Sequence, residues 1–111
     1  MMNIIVKVAT KTGDFAENKD FAAKVREQFI RPALAAGNVV TLDFSDVSLT
    51  TQSFLHALIS DVLRRHGTKA LDSIEFKGCN RNIRGLIETV VQYSLETLPG
   101  VPPTEARNER T

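Results

Sequence analysis

Five hydroxyl side chains fall within nine positions, at Ser45, Ser48, Thr50, Thr51 and Ser53, where an apolar run ends and a helical pattern begins. Hydroxyls at a helix start have two uses: they accept hydrogen bonds from the free amides of the first turn, or they carry a phosphate that the positive end of the helix dipole favours. Thr51 and Ser53 are candidates for both. Asp43 and Asp46 flank the same strand end, but two carboxylates without a third ligand or a partnered histidine form neither a metal cage nor an acid–base pair, and capping or turn formation is the reading they favour. Asn80, Arg81 and Arg84 open the last helical segment just after Gly78, as a candidate anion site or as a solvated helix face. Cys79 precedes that helix start, a place where a thiol can be acidified, or it is an idle thiol. His56 and His66 have no metal-binding spacing and no nucleophile beside them. No nucleophile, base and orienting group can be named together, so no catalytic residue, metal or cofactor is assigned and the chain is read as a non-enzyme.

The elements that must position these residues follow from periodicity. Asn3 to Ala9 is rich in branched apolar residues and stops before the turn formers Thr10 to Asp14, which predicts a first strand, parallel to the next. Ala22, Val25, Phe29 and Ala33 recur at helical spacing between Lys19 and Ala36, widened by Phe21 and Ile30. Pro32 removes a backbone donor there, so the helix is expected to bend or loosen, with Gly37 as its C-terminal cap. Val39 to Phe44 reads as a central strand covered on both faces. A second helix is expected from Thr51 or Gln52 to Gly67, a third strand, at an edge, over Ser73 to Lys77, and a third helix capped by Asn80 with Ile83, Leu86, Ile87, Val90 and Val91 as its stripe. The order strand, helix, strand, helix, strand, helix predicts a small α/β fold with a mainly parallel sheet. The domain is expected over 1–97; Pro99, Gly100, Pro102 and Pro103 predict a mobile tail over 98–111.

Length and charge set outer bounds. A chain of 111 residues holds one core, and a formal charge of +1 gives no surplus for gripping a phosphate backbone, so nucleic acid is not an expected partner. No apolar run approaches a membrane span, and Met1 to Val6 lacks the basic flank and long apolar core of a signal peptide; a cytoplasmic location is expected. With Cys79 as the sole cysteine, no internal disulfide can form.

Leu42-Asp43-Phe44-Ser45-Asp46-Val47 followed by Ser53-Phe54-Leu55, with Thr12-Gly13-Asp14-Phe15 after the first strand and Asn80-Arg81-Asn82-Ile83-Arg84-Gly85-Leu86 at the last helix, resembles the STAS family of sulfate-transporter and anti-sigma-factor-antagonist domains, and within it the STAS-like branch. The resemblance covers roughly residues 4–95. It implies a regulatory protein–protein interaction module that docks on a histidine-kinase-type ATPase, here through the loop and helix start at 48–55, with Ser48, Thr50, Thr51, Gln52, Ser53 and Phe54 as the contact residues. The family's Asp-Ser-Ser-Gly switch is replaced by Thr51, Gln52, Ser53 and Phe54, so Gln52 occupies the usual phosphoacceptor place, and Ala16 stands where many members carry an acid. A small-ligand or nucleotide-binding module that uses the strand ends and Asn80, Arg81 and Arg84 is the alternative reading.

Overall fold

Three strands with matching apolar alternation assemble the main sheet. In the computed structural model, which describes residues 2–96, β1 (Asn3–Lys7), β3 (Val39–Asp43) and β5 (Ile74–Lys77) run parallel in the order β1-β3-β5. The central place of β3 and the edge place of β5 agree with the sequence reading. The expected tail over 98–111 lies outside the described residues.

Register explains which side chains form the core. Ile4 and Val6 lie opposite Val40 and Leu42, which lie opposite Ile74 and Phe76, and all helices pack on this face. The other face carries Asn3, Ile5, Lys7, Glu75 and Lys77, all exposed, so among the described residues no helix covers it. The strand β3 is buried on both faces as expected, but the second face is closed differently: Thr41 Oγ1 sits 2.9 Å from both Asn3 Oδ1 and Glu75 Oε1, side chains that fold over it from the flanking strands. A second, two-stranded parallel sheet pairs β2 (Phe15–Ala16) with β4 (Leu49–Thr50). Strands of two residues have no readable period, so neither is expected from the sequence.

The first crossover is one helical rod over 19–36. It begins as α2 (Lys19–Val25), with Asn18 Oδ1 accepting from the amides of Asp20 and Phe21, and ends as α3 (Arg31–Ala36) at the left-handed Gly37. Between them Arg26–Ile30 is a π-helical turn, directly ahead of Pro32. The expected loosening at Pro32 takes this form: a widened turn accommodates a residue that cannot donate to the ladder and crowds the turn before it. Its effect on packing is visible, because the fully buried positions run Ala22, Val25, Ile30 and Ala33, while Phe29, placed in the stripe by a regular helical period, is only half-buried.

The second rod spans 52–66 as α4 (Gln52–Leu55), a π turn at His56–Ser60 and α5 (Asp61–His66), followed by a 3₁₀ segment Gly67–Ser73. No proline explains this second widening. Arg26 does supply a physical partner: its Nη1 donates to the carbonyl of Ala57 at 2.8 Å, taking up an acceptor inside the widened turn. Arg31 adds an ion pair to Asp61 at 3.1 Å, and Asp61 also receives Arg65, so the two rods are tied side by side. The last helix, α6 (Arg81–Glu96), buries Ile83, Ile87, Val90 and Ser94, with the Ser94 hydroxyl 3.0 Å from that of Ser60 across the helix interface. A short helix α1 (Ala9–Thr12) completes the chain after β1.

Candidate functional site

The hydroxyl-rich loop is pinned from two sides. On one side, the amides of Ser48 and Leu49 donate to the carbonyl of Asp14 at 2.7 and 3.1 Å, and the amide of Thr51 and hydroxyl of Thr50 both reach the carbonyl of Ala16. On the other side, the amide of Phe44 donates to Lys77 O at 2.7 Å, and Asn80 Nδ2 donates to Ser48 O at 2.9 Å. Gly78, at φ +70, lies against the backbone of Ser45. Such a loop holds its side chains in place rather than sampling many arrangements.

The structure divides the residues expected to form the docking surface into two groups. Ser48, Gln52 and Ser53 are exposed. Thr51 is the N-cap of α4, accepting from the amide of Phe54 at 3.0 Å, so its hydroxyl is committed to the helix. Thr50 is buried, with its hydroxyl on Ala16 O. Phe54 corrects the expectation outright: it is fully buried, with its ring 6.5 Å from that of Phe21, and supports the surface from below instead of belonging to it. Two residues not singled out from the sequence lie beside this surface, Leu49 within the expected 48–55 stretch and Phe15 outside it. Phe15 and Leu49, opposite each other in the small sheet, are 41% and 52% exposed, an apolar pair turned outward. The alternation with buried Ala16 and Thr50 is the signal that a two-residue strand was too short to reveal.

At the C-terminal end of the main sheet, Asp43 is flanked in register by Lys7 and Lys77. Its carboxyl is held below the usual carboxylate value chiefly by hydrogen bonds from Ser45, through side chain and backbone, the amide at 2.9 Å, with further help from Lys77 and Lys7 against the opposing cost of burial. Asp43 therefore closes a turn, and the exposed Asp46, in left-handed backbone at φ 69, continues it. Among the described residues no group of three or more His, Cys, Asp or Glu could hold a metal ion.

The start of α6 is built differently from an anion site. Asn80 uses both ends of its amide: Oδ1 accepts from the amide of Ile83 at 2.9 Å while Nδ2 holds Ser48. Arg81 and Arg84 are exposed. Arg84 does line an apolar groove of about 310 Å³ with Leu71, Phe76, Cys79, Ile87, Glu88 and Val91, so its rim carries one charge of each sign. Burial in this groove pushes the Cys79 thiol up despite Arg84 nearby, the opposite of activation. His56 meets the ring of Tyr93 edge-on at 5.6 Å, and burial, with Arg64, lowers its pKa; His66 is exposed at the end of α5.

A model of the family described as STAS-like domain of unknown function (DUF4325) matches residues 22–84. The chain belongs to that family. The match to the STAS-like domain takes in the hydroxyl-rich loop and the start of α6, and leaves Phe15 and β1 outside it. No curated protein and no solved structure gives a match. The parallel sheet with helices packed on it is the small α/β arrangement that the resemblance implied for a STAS-like domain. Among the described residues no helix is long and apolar enough to cross a membrane.

Proposed function

We propose that this STAS-like domain is a non-enzymatic regulatory module that docks on a protein partner through Phe15, Ser48, Leu49, Gln52 and Ser53, with a histidine-kinase-type ATPase as the partner class and the cytoplasm as the place. The observation that carries this reading is the outward apolar pair Phe15 and Leu49 beside a loop pinned from two sides. Exposed apolar groups on rigid backbone supply the buried centre of an interface at little ordering cost, and exposed Ser48, Gln52 and Ser53 supply its polar rim. The family switch position is occupied by Gln52, so docking here is independent of phosphorylation at that place. Ser53, exposed in the first turn of α4, remains the candidate acceptor, whereas Thr51 has its oxygen engaged in the cap.

Affinity purification from the native host with wild type, Leu49→Glu and Ser53→Asp tests this. An ATP-binding protein retained by wild type and lost by both variants, at unchanged melting midpoint, is the expected result. Equal retention by all three chains refutes the surface. A second reading is favoured by the groove that Arg84 and Glu88 rim: a small ligand with a largely apolar body. Thermal-shift screening with small apolar metabolites separates the two, since a ligand that binds only the folded chain raises its midpoint by mass action.

A further inference from the structure

Among the described residues the outer edge of β1 is unpaired. Val39 N donates to Met2 O and Val8 N to Asp43 O, which fixes the phase of the β1–β3 ladder: Ile4 and Val6 bond inward to β3, and Asn3, Ile5 and Lys7 aim their backbone groups away from it. Among the described residues no strand pairs with that side. Soluble proteins guard such an edge with a mid-strand lysine, a proline or a bulge, and here the middle residue is Ile5, 57% exposed, with Met2 at 65% near the strand's start.

We infer that this edge pairs with β1 of a second copy of the chain, antiparallel about a two-fold axis through Ile5. The outward residues are symmetric about Ile5, so one register satisfies all of them: Ile5 faces Ile5, and Asn3 faces Lys7 in both directions, each pair exchanging backbone hydrogen bonds. Charge agrees with that register, because no lysine faces a lysine and each Lys7 meets a neutral amide. Apolar contacts form on both faces of the joint, Ile5 with Ile5 on the open face and half-buried Ile4 with Val6 on the core face. The two three-stranded sheets then become one continuous sheet. The docking surface proposed above shares no residue with this edge, and the inference does not rest on it.

Sedimentation equilibrium up to millimolar protein tests the pairing. Wild type is expected at twice its 12.3 kDa chain mass, and Ile5→Lys at the single mass with an unchanged melt. Ile5→Cys in a Cys79→Ser background is expected to form a cross-chain disulfide on mild oxidation, since directly opposed residues in such a pair stand about 5.5 Å apart at Cα. A wild type that stays at the single mass, a dimer that survives Ile5→Lys, or an Ile5→Cys chain that does not cross-link overturns the inference. Should Ile5→Lys fail to fold, the wild-type mass and the cross-link decide.

Discussion

Replacing Gly78 by alanine strikes the joint that fixes the hydroxyl-rich loop, and Gly37 provides its control. Both glycines lie in left-handed backbone, at φ +70 and +74, so each alanine variant carries the conformational cost of that region, about 1–2 kcal/mol. Only Gly78 is also crowded. A Cβ there would stand 2.7 Å from the amide nitrogen and 3.0 Å from the Cα of Ser45 and would strike its Oγ, whereas a Cβ at Gly37 meets nothing within 4 Å. The serine hydroxyl can rotate away, but the backbone cannot. Moving it pulls the Ser45 amide off the Asp43 carboxylate, now at 2.9 Å, a hydrogen bond to a charged group worth about 1.5–3 kcal/mol. Gly78→Ala should therefore cost about 3–5 kcal/mol, a large share of the ~5–15 kcal/mol that stabilises an ordinary domain. Gly37→Ala should cost about 1–2 kcal/mol. Urea unfolding of both variants reads the difference as a shift in midpoint at constant slope, roughly 2 M for Gly78→Ala and under about 1 M for Gly37→Ala. Equal losses in the two variants would refute the close approach of Gly78 to Ser45 and with it the rigidity of the loop.

Other expectations concern caps, charge and core. Thr51→Ala removes the acceptor for the Phe54 amide and should lower stability by about 1 kcal/mol, restored by Thr51→Ser, in the same urea assay. Asp43 has a depressed folded-state pKa, so its contribution is present above the unfolded value of about 3.9 and is lost as pH falls through the folded value. Asp43→Asn should accordingly be less stable than wild type at neutral pH, and the gap should close below about pH 4, as melting curves between those limits would show. Ile59→Asp places a charge at a fully buried position and should abolish a cooperative melt, while Leu86→Asp, on a half-buried position, should retain one at a lower midpoint. A folded Ile59→Asp would show that the helix face is wrongly assigned.

The parallel strands, the two helical crossovers and the last helix were legible because each carries a long, regular pattern, and the caps at Asn80, Thr51 and Gly37 were legible because single residue types have a single backbone use there. What stayed hidden has physical causes. The strands β2 and β4 are too short to show alternation, so Phe15 and Leu49 gave no warning that they face outward. Phe54 was placed on the docking surface by its position in a motif, although an aromatic residue at the start of an apolar helix more often anchors that helix, as it does here against Phe21. The π turn at Arg26–Ile30 exchanged the roles of Phe29 and Ile30, a shift that a fixed helical period cannot anticipate. The turn at His56–Ser60 depends on Arg26 from another helix, a long-range partner that local sequence does not name.

That widened turn before Pro32 leaves a trace in chain length. A π turn is equivalent to one extra residue inserted into an α-helix, and the insertion turns everything that follows by the angle of one residue. Here it brings Ile30 and Ala33 onto the buried side that Ala22 and Val25 began. In a chain with one residue fewer over 26–30, an ordinary helix would carry the same four apolar positions to the core. Aligning such chains without a gap there would pair exposed residues with buried ones. The gap belongs within 26–30, inside a helix, where alignments ordinarily resist placing one.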